Sequence, residues 1–106
     1  LKRVHDAGIR IAFGTDTGPA ARFQGFFEHL ELEMMVESGL TPMQAIVSAT
    51  GTAADCWGMA GRIGTIAPGA AADLLVLSAN PLERIANTRA IDAIYIGGRR
   101  FDPPAP

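Results

Sequence analysis

Asp16 is the residue whose type and position could most directly do chemistry. It follows Gly14 and Thr15, after a short apolar run at residues 11–13. A carboxylate in such a place can bind a divalent metal ion or act as a general base toward water. It can also form an Asx turn or cap a helix, and the local spacing by itself favours this structural role.

Other residue types with possible chemistry are weaker candidates. His29 could be a metal ligand or a proton shuttle, but a single histidine near a helix start more often has a structural role. Cys56 beside Trp57 lacks a basic neighbour and is predicted to be a small core residue. A group of glutamates does not share one helix face, so we expect a solvated surface. These glutamates are Glu28, Glu31, Glu33 and Glu37.

The elements that must position Asp16 have an α/β order. Leu1 and Val4 lie at helical spacing, and Gly8 suits the C′ position that ends a helix. The apolar residues 11–13 predict a buried strand of a parallel sheet. Ligand sites in such folds lie at the carboxyl ends of the strands, which is where Asp16 would be.

Two or three helices are predicted to follow this strand. Residues 25–38 predict a helix, and Thr41 with Gln44 can form the capping box of a second one. Residues 52–55 repeat the start signal and predict a third, shorter helix through Trp57.

The later part of the chain is predicted to be mainly β. It begins with a type II turn at residues 68–69 and a strand at residues 72–77. A brief helical turn at residues 82–86 and a hairpin with a primed turn at residues 91–101 follow. Residues 102–106 predict a tail, because prolines cannot continue a sheet. We therefore divide the chain into residues 1–58, which are α/β, and residues 59–106.

Composition excludes several classes of protein. The chain has 106 residues, of which 48% are hydrophobic and 19% charged, so it can build a core and is not wholly disordered. Its formal net charge of −2 does not indicate the basic surface that binds nucleic acid, so no nucleic-acid partner is expected. No uncharged run approaches the roughly 20 apolar residues of a membrane-spanning helix, so no membrane partner is expected. A single cysteine fits a reducing compartment, and we expect a cytoplasmic location.

One composite pattern runs through nearly the whole chain. It comprises Gly14-Thr15-Asp16, residues 31–46, Ala49-Thr50, residues 64–77 and residues 80–82. In this order the pattern resembles the last quarter of the amidohydrolase superfamily. It is most similar to the branch of imidazolonepropionases and Xaa-Pro dipeptidase-like enzymes.

The resemblance implies a metal-dependent (β/α)8 barrel with a small β-sandwich, in an enzyme that hydrolyses C–N bonds of amide, dipeptide-like or cyclic amide substrates. Residues 1–58 would be the last strand and following helices of the barrel, and residues 59–106 a β-sandwich segment and tail. Asp16 matches the aspartate that ends the eighth strand. The resemblance therefore assigns Asp16 both metal binding and catalysis, with zinc or another divalent metal as cofactor, and reverses the preference for a structural role.

Most of the family's ligands have no counterpart in this sequence. It contains no His-x-His pair and no further pair of ligand histidines, and a full barrel needs about 250 residues. We therefore expect a C-terminal fragment that is inactive alone and has the missing N-terminal barrel portion as its partner. A barrel strand without neighbours also predicts a homo-oligomer. The alternative is an autonomous non-catalytic module for binding or assembly.

Overall fold

The structure is a computed structural model that describes residues 1–18, 20–21 and 23–102. Its helical elements are α1 (Lys2–Asp6), α2 (Phe26–Glu37), α3 (Pro42–Val47), a π-helical turn (Ser48–Thr52), α4 (Ala53–Cys56) and a 3₁₀ helix (Ile85–Arg89). Its strands are β1 (Leu74–Leu77), β2 (Ile91–Ile96) and β3 (Arg99–Phe101). The predicted tail lies outside the described residues from position 103 onward. No helix in the described part is long and apolar enough to cross a membrane.

Residues 11–13 do not form the predicted strand. The three strands of the described residues all lie in one later sheet, so no ladder partner is available at this position. The segment instead packs on the turn after α3. The Phe13 N–H donates to the Ser48 carbonyl at 3.2 Å, and the Ser48 hydroxyl donates to the Ile11 carbonyl at 2.6 Å. These hydrogen bonds satisfy backbone groups that a sheet would otherwise pair.

The helix ends follow the predicted capping signals. Gly8 has φ +76° after α1, as a C′ glycine does. Before α3, the Gln44 N–H donates to Thr41 Oγ1 at 3.2 Å, and the Thr41 N–H donates to Gln44 Oε1 at 2.8 Å. This is the reciprocal pair of a capping box. Both the first helix and the start of α3 are therefore confirmed.

The short third helix predicted through Trp57 is confirmed as α4, which ends at its C-cap Trp57, but Thr52 does not cap its start. Helical structure continues from α3 through the π-helical turn into α4. Thr52 itself has φ −67° and ψ −39° and makes no capping hydrogen bond through its side chain. An N-cap residue needs extended backbone angles, so a Thr52 inside a helix cannot act as one. Cys56 at the end of α4 is exposed, which corrects its prediction as a core residue.

The sheet has the order β1-β2-β3 and is antiparallel throughout. Gly97 and Gly98 have φ +57° and +78°, the signs that a type I′ hairpin turn requires. The type II turn is also confirmed: Gly69 has φ +87°, and the Ala70 N–H donates to the Ala67 carbonyl at 3.1 Å.

The helical turn predicted at residues 82–86 lies further along, in the 3₁₀ helix Ile85–Arg89. Residues 81–83 form a turn, in which the Asn80 Oδ1 accepts from the Leu82 N–H at 2.9 Å. Arg84 then has extended angles, with φ −147° and ψ 120°, so the helix begins only after it.

One apolar cluster joins the early helices to the 3₁₀ helix. Its buried members are Leu32, Met35, Leu40, Ala45 and Ile85. Partly buried Ile11 and Phe13 pack against it. The segment that leads to Asp16 is therefore held by core packing from one side, although it has no strand partner.

Gly64 makes a second tight contact between the halves of the chain. It has φ +79°, and a Cβ there would lie 2.6 Å from the carbonyl oxygen of Thr50 and 2.8 Å from the Ala54 Cβ. A backbone oxygen in a helical turn cannot easily move away. Only glycine therefore fits between the π-helical turn and the β part.

We expect Gly64→Ala to destabilise the chain more than Gly61→Ala. Gly61 has a similar φ of +76°, but a Cβ there would meet nothing within 4 Å. The control should lose about 1–2 kcal/mol from the left-handed backbone, and Gly64→Ala about 1–3 kcal/mol more from the added clash. Urea unfolding of both variants measures the difference. Equal losses would contradict the close approach at Gly64.

Candidate active-site loop

Asp16 lies in an exposed loop that follows residues 9–13. Its φ is +53°, a region that few residues other than glycine occupy, although aspartate enters it more readily than most. Asp16 does not cap α2, whose N-cap is Gly25. The structure therefore shows an unusual backbone conformation at the residue that the sequence singles out.

Glu28 on the first turn of α2 holds the residues on both sides of Asp16. Its Oε1 accepts from the Thr17 hydroxyl at 2.6 Å and from the Thr15 hydroxyl at 3.2 Å. The two threonine hydroxyls also contact each other. The Glu28 Oε2 accepts from the Gly25 N–H at 2.6 Å. We call Thr15, Thr17, Gly25 and Glu28 the Glu28 cluster.

The electrostatics of the Glu28 cluster favour an ionised carboxylate. The hydrogen bond from Thr17 is the largest cause that lowers the pKa of Glu28 below its ordinary value, and bonds from the backbone and from Thr15 add to it. Hydrogen bonds to the charged form stabilise that form. Through these donors the Glu28 carboxylate links the loop to the start of α2.

Sequence reasoning missed the role of Glu28, which it assigned to a solvated surface. The available signal was its position three residues after Gly25, where an N3 glutamate reaches back to the N-cap. That signal predicts the Gly25 contact. It does not predict the contacts with the two threonines, which lie 13 and 11 residues before Glu28 in the chain.

His29 bridges α2 and the 3₁₀ helix. Its Nδ1 lies 2.9 Å from the Thr88 Oγ1, and the Thr88 hydroxyl donates to the Ile85 carbonyl at 2.9 Å. Since that hydroxyl has one proton, His29 Nδ1 must be the donor. Burial is the main cause that lowers the pKa of His29, followed by the charge of Arg89. These contacts give His29 the structural role that its position favours.

Glu33 is also more than a solvated surface residue. Its Oε1 accepts from the Arg89 guanidinium at 2.9 Å, and the same guanidinium lies 5.2 Å from the ring centre of Phe26. Glu28 and Glu33 are partly exposed on the helix surface, as predicted. Both also make contacts with other segments that the prediction did not include.

A shallow cavity adjoins the Glu28 cluster. It has a volume of about 230 Å³ and is lined by Thr15, Phe27, Leu30, Glu31 and Met34. Most of these residues are on α2. Thr15 of the loop and four side chains of α2 therefore line a common cavity.

The described residues do not by themselves provide a complete metal site. No group of three or more His, Cys, Asp or Glu side chains in residues 1–18, 20–21 and 23–102 could hold a metal ion. Zinc sites normally use three or four protein ligands. Any metal centre that includes Asp16 therefore needs ligands from other residues.

Comparison with known proteins places these features in a family. The sequence model of the amidohydrolase family matches residues 1–101. Ochratoxinase from Aspergillus niger is 39% identical over 103 residues, which are 92% of this chain and 20% of that protein. Imidazolonepropionase from Deinococcus deserti is 38% identical over 88 residues, which are 82% of this chain and 22% of that protein. The chain spans about a fifth of the length of these relatives.

Solved structures agree with the sequence match. The crystal structure of a Xaa-Pro dipeptidase with bound methionine in the active site superposes with a TM-score of 0.84 at 31% sequence identity. The match covers 96% of this chain and 24% of the dipeptidase. The family match, the relatives and this common fold together confirm the resemblance expected from the motifs, and the chain belongs to the amidohydrolase family.

Proposed function

We propose that this chain is the C-terminal portion of a metal-dependent hydrolase of C–N bonds, acting on amide, dipeptide-like or cyclic amide substrates. The match of residues 1–101 to the amidohydrolase family carries the proposal. The share of 20–22% that the chain covers in its curated relatives supports the existence of a much larger catalytic protein. Residues 1–58 would complete a (β/α)8 barrel, and residues 59–106 would form part of a β-sandwich.

Asp16 is the chain's contribution to catalysis in this proposal. Its carboxylate follows Ile11 and Phe13, which pack against the core, and belongs to a loop that the Glu28 cluster holds. In that place it would take a proton from the attacking water and would supply one oxygen ligand to zinc or another divalent metal. The remaining ligands would come from the missing barrel portion.

The experiment that tests this function compares the isolated chain with a full-length hydrolase that carries it. Deinococcus deserti imidazolonepropionase is a suitable recipient because 88 of its residues align with this chain at 38% identity. The isolated chain is expected not to hydrolyse the recipient's own substrate. The chimera, in which the chain replaces the aligned segment, is expected to hydrolyse it. A chimera that folds and binds metal without activity would favour the alternative, a non-catalytic module for binding or assembly.

We also expect the isolated chain to form homo-oligomers. Ile9 is 57% exposed and Trp57 82% exposed, and apolar β1 residues Leu75 and Val76 also face solvent. Apolar surface of this kind and open sheet edges favour association with another copy. Light scattering at high micromolar concentration should give a dimer or larger mass. A clean monomer mass would contradict this expectation.

A further inference from the structure

The contacts of the Glu28 cluster exceed what a helix cap requires. The hydrogen bond from the Gly25 N–H to Oε2 satisfies one unpaired donor at the start of α2, which is all that an N3 glutamate contributes to a helix cap. The other carboxylate oxygen faces the loop and accepts from Thr15 and Thr17. Glu28 therefore connects the loop with the helix: Oε1 accepts from the loop threonines, and Oε2 accepts from the helix N-cap.

Asp16 lies between the two threonines that Glu28 holds. Its φ of +53° is a sparsely populated conformation, which persists only where the surroundings enforce it. Hydrogen bonds on both neighbours restrict the peptide planes before and after Asp16. The Glu28 cluster therefore provides a physical means of enforcing this conformation.

We propose that Glu28 is a positioning residue, which fixes the direction of the Asp16 carboxylate through Thr15 and Thr17. This inference rests on the proposed function of Asp16. Catalysis requires reacting groups to be held close to one geometry, and groups behind a catalytic residue supply that restraint. Because Glu28 is anchored to α2, and α2 is packed in the core through Leu32 and Met35, the restraint extends from the core to the loop.

Thr17 offers the sharpest test, because its hydroxyl can be removed without touching the helix cap. Thr17→Val keeps the shape but loses the 2.6 Å hydrogen bond to Glu28. Thr17→Ser keeps the hydroxyl and should behave as the unaltered chain. Glu28→Ala removes the whole cluster, and Glu37→Ala on the exposed end of α2 is the matched control.

The first measurement is backbone ¹⁵N relaxation of the 106-residue chain. The Asp16 order parameter should fall from about 0.85 to below about 0.6 in Thr17→Val and Glu28→Ala. It should remain unchanged in Thr17→Ser and Glu37→Ala. Order parameters are also measured in α2. If they fall together with that of Asp16, the substitution has disturbed the helix and not the loop alone.

The second measurement is activity in the full-length chimera. Thr17→Val should lower kcat about 10–100-fold with little change in KM, and Thr17→Ser should restore it. An unchanged Asp16 order parameter and unchanged kcat in Thr17→Val would overturn the positioning role. If the order parameter falls but Asp16→Asn leaves the chimera fully active, the proposed function of Asp16 fails while the positioning of the loop stands.

Discussion

Asp16→Asn should lower kcat about 10²–10⁴-fold in a full-length hydrolase that carries this chain, as expected for loss of a general base. The substitution keeps the side-chain shape and removes the charge and basicity. Asparagine can still accept a hydrogen bond, so the loop and the Glu28 cluster should remain in place. The loss therefore reports on proton transfer and metal binding rather than on folding.

The measurement is kcat with zinc content determined on the same samples. Asp92→Asn is a matched control, because Asp92 is also exposed but lies on β2 in the sheet. The control should keep full activity. An Asp16→Asn enzyme with bound metal and unchanged kcat would show that Asp16 has no catalytic role.

The second large effect is the expected inactivity of the isolated 106-residue chain. Its described residues include no cluster able to hold a metal ion, and a zinc site normally needs three or four protein ligands. The walls that would orient substrate and exclude water belong to the rest of the proposed barrel. We expect no stoichiometric zinc after dialysis and no hydrolysis of dipeptide, N-acyl amino acid or lactam substrates above background.

Calorimetric titration with zinc and an amidase assay on the purified chain measure these outcomes. The chimera provides the positive control for the assay, and Asp16→Ala shows whether any residual binding involves the proposed site. Tight one-to-one zinc binding with turnover that Asp16→Ala abolishes would contradict the fragment interpretation. It would demonstrate a complete site within this chain.

Local sequence determined the elements whose geometry depends on neighbouring residues. Thr41 and Gln44 satisfy each other's backbone amides across one helical turn. Gly97 and Gly98 permit the positive φ angles of the hairpin turn, and Gly69 does the same after Pro68. These signals act over a few residues, so they can be identified without knowledge of the remaining chain. The motif order was sufficient to indicate the family as well.

Only tertiary structure decided the contacts between distant segments. Residues 11–13 have the apolar character of a strand, but a strand also needs a partner, and none lies beside them in the described part of the chain. Glu28 has the composition of a solvated helix residue, yet packing brings the loop of Thr15 and Thr17 to its carboxylate. The exposed or paired state of a polar group depends on which other segment folds against it. Helical spacing describes one element, and it therefore could not predict the cluster that holds Asp16.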